Sequence, residues 1–164
     1  MLPHIFLLKS DFDIFILDVD GVLTDGGFYY DTNGKVMKKF GPDDNDALHI
    51  LEKYIKIQFI SGDKNGFAIS QKRISDMGFK LELVSTSKRI EWICERYNPQ
   101  KVIYMGDGIF DYLVMTKVGY AIATADADEN AKKSADYVTQ RKGGKRAVAE
   151  ACMHIISKFF EPKK

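Results

Sequence analysis

Residues 14–18, Ile-Phe-Ile-Leu-Asp, run straight into Val19, Asp20 and Gly21, so two carboxylates two residues apart stand where an apolar segment meets a glycine turn. A strand that ends this way can offer a hard cation one carboxylate and one backbone carbonyl while holding the second carboxylate nearby for proton transfer. That is the outline of a phosphoryl-transfer site. In it Asp18 is the candidate nucleophile, attacking phosphorus to form an aspartyl phosphate that water then hydrolyses. Asp20 is the candidate acid and base, protonating the leaving alkoxide and later taking a proton from the attacking water. A turn or a helix cap is the plain alternative for such acids, but it would need only one of them.

Three further segments put chemistry at the same kind of boundary. The apolar run Ile57-Gln-Phe-Ile60 stops at Ser61 and Gly62. The hydroxyl can donate to a phosphoryl oxygen, and the backbone N–H groups of the turn at Gly62 can add to it, although Ser-Gly after a strand is by itself a common turn or cap. Lys88 opens a helix just after a strand, where a cation opposes the helix macrodipole unless an anion is near. Arg89 and Lys80 offer the same charge from neighbouring positions, and a solvated lysine is the bland reading. Residues 102–106, Val-Ile-Tyr-Met-Gly, then repeat the strand-then-acid pattern before Asp107, with Asp111 about one helical turn further on. Asp107 is placed to be the second side-chain ligand of Mg²⁺, with Asp111 behind it. Magnesium keeps several waters and takes few carboxylates, so Asp18, the Asp20 carbonyl, Asp107, phosphate and water make a sufficient set.

Strand-like and helix-like patterns alternate along the chain, as positioning these groups requires. Apolar runs rich in β-branched and aromatic residues occupy 13–18, 56–60, 81–84, 101–105 and 119–123, with a weaker one at 137–139. Helical periods cover 46–54, 65–77, 88–97, 111–117 and 145–160. Such alternation predicts an α/β fold with a mostly parallel sheet and helices on both faces. Its ligand crevice lies beyond the carboxyl ends of the strands, where Asp18, Ser61 and Asp107 all fall.

One segment breaks the alternation. Residues 27–31 and 35–40 flank Thr32-Asn33-Gly34, and Asn-Gly between two strand-like runs is a hairpin signal. The spans from Asp18 to Ser61 and from Ser61 to Lys88 leave no room for a cap domain over the site. A hairpin with aromatic residues and two free edges invites association, which would hide the edges and roof the site, so a homo-oligomer is expected.

Composition limits the partners. The 164 residues carry 24 Lys plus Arg against 23 Asp plus Glu, a formal charge of +1, and 45% are hydrophobic. One globular domain over 1–164 is expected, with no electrostatic footprint for nucleic acid or a membrane surface. Residues 1–10 have no basic n-region, and no segment approaches the ~18 uninterrupted apolar residues of a membrane span, so the expected location is cytoplasmic. Cys94 and Cys152 lie in helical patterns without CxxC spacing and are expected to be buried thiols. His4, His49 and His154 form no metal-binding spacing and are expected to be surface or satisfied histidines.

Taken in order, the Asp18-x-Asp20 pair, Ser61, Lys88 and the Gly106-Asp107-to-Asp111 segment resemble the haloacid dehalogenase superfamily of phosphohydrolases over residues 12–150. The runs Asp18-Val-Asp-Gly-Val-Leu-Thr-Asp-Gly26, Ala135-Asp-Tyr-Val-Thr139 and Gly143-Gly144 are similar to its capless subgroup, to which the octulosonate 8-phosphate phosphatases belong. The resemblance implies a Rossmann-like fold, Mg²⁺, a keto sugar acid phosphate as substrate in surface-polysaccharide (lipopolysaccharide) biosynthesis, and a homotetramer whose packed hairpins and neighbouring subunits complete each site.

Three places depart from the subgroup's pattern. Asp43, in Phe40-Gly-Pro-Asp43-Asp44, stands where the octulosonate enzymes usually carry an arginine suited to a sugar carboxylate. An aspartate there would repel that carboxylate. The C-terminal glycine loop reads Gly143-Gly144-Lys145-Arg146-Ala147, with its arginine three positions early, and Arg141, Lys142, Lys145 and Arg146 are candidates to reach a neighbour's site or simply to be solvated. Gly62, Asp43, Lys145 and Arg146 are therefore the candidate substrate-binding residues. Gly108 replaces the subgroup's usual second acid after Asp107. The alternatives are a phosphatase for a different small phosphate ester, which Asp43 favours, and a non-catalytic tetramerising module of a sugar-acid pathway, against which the retained acids argue.

Overall fold

The computed structural model describes residues 11–161. Its frame is a six-stranded, all-parallel sheet of β1 (Ile14–Asp18), β4 (Lys56–Ser61), β5 (Leu81–Leu83), β6 (Val102–Gly106), β7 (Tyr120–Ala123) and β8 (Tyr137–Val138), in the order β5-β4-β1-β6-β7-β8. β1 pairs with β4 on one side, Asp18 opposite Ile60, and with β6 on the other, Leu17 opposite Met105. The strand order reverses there, so the crevice opens at the carboxyl end of β1, where Asp18 sits.

β1 is apolar at four consecutive positions because both faces of the sheet are covered. Phe15 and Leu17 pack on one side with residues of α1 (Asp44–Leu51), α2 (Phe67–Asp76) and α6 (Ala147–Phe159). Ile14 and Ile16 pack on the other with α3 (Arg89–Arg96), α4 (Asp111–Met115) and α5 (Glu129–Ser134). The expected strands and helices are all present, with ends shifted by a residue or a few. α5 was not expected from periodicity: among its six residues only Ala131 is buried, and Asp128 starts it by accepting from the Asn130 N–H.

The hairpin is β2 (Thr24–Asp31) and β3 (Gly34–Phe40), a separate antiparallel ribbon with register shifts at Thr24/Phe28 and Tyr29/Tyr30. Its turn is tied by the Asn33 N–H donating 2.7 Å to Asp31, and Gly34 takes φ 123°, which a side chain rarely tolerates. Phe28, Tyr29, Tyr30, Val36 and Met37 are all exposed on it. Among the described residues nothing else is inserted between β1 and α1, and only α2, β5, a 3₁₀ turn at Thr86–Lys88 and α3 lie between β4 and the 3₁₀ turn before β6, so no cap domain is present.

Cys152 is buried as expected, but Cys94 is exposed, because it falls on the outer side of α3 opposite Trp92 and Ile93. His49 is held by Glu52, and His154 donates or accepts at Tyr120 and stacks on Tyr137. His4 and the remainder of residues 1–10 lie outside the described residues. No described helix is long and apolar enough to cross a membrane.

Candidate active site

The floor of the crevice is a buried charge cluster. Asp18 closes β1 with Oδ1 accepting 2.7 Å from the Val19 N–H and Oδ2 2.7 Å from Arg89 Nη1. The same Arg89 nitrogen lies 2.8 Å from Asp111 Oδ1 and 2.9 Å from the Tyr104 hydroxyl, which itself donates 2.5 Å to Asp111. The other Asp111 oxygen accepts from the N–H groups of Asp107 and Gly108 at 2.9 and 2.8 Å. Burial works against the charge on Arg89, and Tyr104, Asp18 and Asp111 together more than offset it, so its pKa rises.

Lys88 does not join this cluster. The short 3₁₀ turn Thr86–Lys88 precedes α3, so Lys88 points outward and pairs with Glu91 at 2.8 Å, while Arg89, one residue later, faces inward. One residue is about 100° of helix rotation, enough to exchange floor for solvent. Arg89, kept open in the sequence as an alternative cation, is the basic group beside Asp18. Lys80 is not near it either; its backbone carbonyl accepts from Phe59 and its residue lines a groove at the opposite end of the sheet with Lys56 and Tyr97.

The acids at the mouth fit a divalent cation. Asp18, Asp107 and Asp111 each bring one carboxylate oxygen to within 4.8 Å of the others. Each Asp111 oxygen already holds two donors, whereas each Asp18 oxygen holds one, so Asp111 orients the loop while Asp18 and Asp107 keep lone pairs that could meet a cation. Burial first, and then the charge on Asp18, pushes the Asp107 carboxyl up to about 8, yet among the described residues no donor reaches it. Asp18 is likewise raised by burial, to about 6 despite Arg89. Arg89 pairs with Asp18 and Asp111 but not with Asp107, and a metal would relieve the crowding that is left. Gly21 makes the crowding possible: it takes φ 79°, and a Cβ there would lie 1.9 Å from Asp107 Oδ2.

The rim is built differently. Asp20, partly exposed, has Lys38 of the hairpin 2.7 Å from Oδ1 and a long 3.4 Å contact from the Ser61 hydroxyl on Oδ2. Ser61 in turn accepts from the Asp63 N–H at 3.1 Å, so its hydroxyl is turned toward Asp20. Burial opposes the charge on Asp63, but Lys35 and Lys38 overcome it and hold that carboxyl at about 2. Gly62 packs against Thr86 and the Val84 carbonyl, where a Cβ would be tight at 3.2 to 3.3 Å. Lys38 and Asp63 were not singled out in the sequence, where a lysine in a Lys-Val-Met-Lys-Lys strand carries no signal of its own.

Two of the departures from the subgroup, Asp43 and Arg146, meet each other. Arg146, with φ 71° at the start of α6, donates from Nε to Asp43, which has φ 66° at the start of α1. The neighbouring Asp44 is buried, accepts from the Ala149 N–H at 2.9 Å, and is raised by that burial to about 6. Gly143 and Gly144 press this loop onto the turn after β1, with the Gly144 N–H donating to the Val22 carbonyl at 3.1 Å. Lys145 remains exposed beside them.

Comparison with known proteins follows the same lines. The model of the haloacid dehalogenase-like hydrolase family matches residues 7–151. The 3-deoxy-D-manno-octulosonate 8-phosphate phosphatase of Salmonella typhimurium is 34% identical over 158 residues, covering 92% of this chain and 82% of that protein. The Escherichia coli K12 enzyme of the same name is 35% identical over 147 residues, 85% and 76% of the two chains. Among solved structures, the cobalt-bound deoxy-D-mannose-octulosonate 8-phosphate phosphatase of Haemophilus influenzae superposes with TM-score 0.80 at 31% identity, covering 90% of this chain and 88% of that one. The Moraxella catarrhalis phosphatase, in complex with magnesium, phosphate and KDO, gives TM-score 0.80 at 25% identity over 91% and 88%.

Proposed function

The chain belongs to the haloacid dehalogenase-like hydrolase family, and from that premise we propose that residues 1–164 form one Mg²⁺-dependent phosphomonoesterase domain working through an aspartyl phosphate on Asp18. The observation that carries the reading is the floor: a buried nucleophile candidate held by Arg89, close to an Asp107 carboxyl that no donor among the described residues reaches.

Asp18 attacks phosphorus, with Arg89 and the Val19 N–H fixing its carboxylate so that little reorganisation precedes attack. Bound through Asp18, the Asp20 carbonyl and Asp107, Mg²⁺ supplies charge stabilisation for the transferring phosphoryl group. Asp20 gives a proton to the leaving oxygen and takes one from water when the acyl phosphate is hydrolysed. Ser61 and the Gly62 turn bound the phosphate pocket, and Asp111 orients the loop that carries Asp107.

For substrate we propose a phosphorylated keto sugar acid, in the cytoplasm, within surface-polysaccharide synthesis. Similarity to octulosonate 8-phosphate phosphatases over most of both chains supports this. The Asp43–Arg146 pair supports it too, because Arg146 neutralises the aspartate that would otherwise repel a sugar carboxylate, and Lys145 stays free beside it. The exposed aromatic hairpin supports a homotetramer whose hairpins pack together and whose neighbouring subunits complete the site. A different small phosphate ester is the second reading, favoured by Asp43 itself. A panel of octulosonate, nonulosonate and neutral sugar phosphates, assayed with Mg²⁺, separates the two: preference for a neutral sugar phosphate overturns the keto-acid assignment. A non-catalytic module would release phosphate from none of them, nor from p-nitrophenyl phosphate.

A further inference from the structure

Lys38 is anomalous for a hairpin residue. β3 carries three exposed positions, yet the Lys38 side chain is wholly buried, reaching off the ribbon into the mouth of the crevice. Its ammonium donates to Ser70 Oγ at 2.8 Å and is ion-paired with two carboxylates, Asp20 Oδ1 and Asp63 Oδ2, each at 2.7 Å. Lys35 lies 2.5 Å from Asp63 Oδ2, so two lysines of one strand balance two carboxylates. A buried ammonium paired with two carboxylates and hydrogen-bonded to a hydroxyl fixes their geometry.

We infer that Lys38 is the positioning residue for Asp20, so that the hairpin orients the acid–base carboxylate of its own subunit. Lys38 anchors Oδ1 and leaves Oδ2, which carries only the long Ser61 contact, to exchange the proton with the leaving oxygen. Lys38 itself neither gives nor takes a proton. The hairpin thus contributes to each turnover in cis, whatever it also does between subunits. This inference rests on the phosphatase reading.

The test exploits leaving groups. A sugar alkoxide must be protonated as it departs, whereas p-nitrophenolate leaves without a proton. Wild-type protein with Mg²⁺ is measured first on p-nitrophenyl phosphate and on the sugar phosphate it hydrolyses fastest. If it hydrolyses neither, the phosphatase reading itself fails and this inference falls with it. Given wild-type turnover, Lys38→Met is expected to lower kcat on the sugar phosphate by about 10²-fold, the low end for a general acid, with KM within about threefold and only a few-fold loss on p-nitrophenyl phosphate. Combined with Asp20→Asn, Lys38→Met should cost little more, because both remove one unit of function. Equal losses on the two esters, a rise confined to KM, or multiplicative losses in the double variant would overturn the inference while leaving the phosphatase reading intact. Should Lys38→Met not fold, Ser70→Ala decides: a loss larger on the sugar phosphate supports the assignment, and an equal change or none overturns it.

Discussion

Asp18 and Asp20 are neighbours but one in the chain, and the protein treats them in opposite ways. Asp18 is buried on a floor whose other members, Arg89, Tyr104 and Asp111, are buried as well and come from the sheet and the helices of one face. Asp20 stands, partly exposed, on a rim held by the hairpin and the loop after β4. The floor concentrates charge in a low dielectric and needs a cation to be comfortable; the rim is internally balanced, lysine against aspartate. Asp43 and Arg146, where this chain leaves its subgroup's pattern, form a separate pair at the starts of α1 and α6.

The hardest way to break the comparison is at the floor. Asp18→Asn should abolish turnover while leaving circular dichroism and oligomer mass unchanged; residual activity within tenfold of the parent would refute its role as nucleophile. Asp20→Asn should lose about 10²- to 10⁴-fold, the proton-transfer contribution, in the same assay. Arg89→Met should abolish activity and also weaken the fold by about 3–5 kcal/mol, read by urea titration, because it leaves Asp18 and Asp111 buried without their cation.

The pH dependence of stability should carry opposite signs in the two regions. Without metal, Asp18 and Asp107 have folded pKa values of about 6 and about 8 against 3.8 for the ordinary carboxyl. Between those limits the native state holds more protons than the unfolded one, so this part of the stability falls as pH rises. Mg²⁺ should therefore raise the melting temperature more at pH 8 than at pH 5. Asp63, held at about 2, works the other way: its contribution is present above 3.8 and is lost as pH falls toward 2. Asp63→Asn should flatten that acid limb of the melting curve without changing the Mg²⁺ effect.

The mildest change tests the proposed role of the Asp43–Arg146 pair in selectivity. Arg146→Ala removes an exposed partner of Asp43 and should leave the melting temperature where it is. It should still move preference away from acidic sugar phosphates toward neutral ones, measured as a ratio of kcat/KM values.

Much of the floor was legible in the chain because its acids end or follow buried strands: Asp18 ends β1 and Asp107 follows β6. Lys88 was misplaced by one residue, since nothing in Ser-Thr-Ser-Lys-Arg announces a 3₁₀ turn that hands the inward direction to Arg89. The rim and the Asp43–Arg146 pair were less legible because their contacts are long-range. Lys38 reaches Ser70 across 32 residues, and Arg146 reaches Asp43 across 103, through loop and hairpin geometry that periodicity does not encode. Asp43 was visible as a departure, but its partner was visible only as another.

The claim on which the rest depends is covalent transfer to Asp18. During steady turnover of p-nitrophenyl phosphate with Mg²⁺, acid quenching followed by borohydride reduction converts an aspartyl phosphate to homoserine. Peptide mass spectrometry should then find homoserine at position 18 and nowhere else, and none without substrate. Phosphate release at full rate with Asp18 unmodified, or homoserine at another aspartate, would contradict the account.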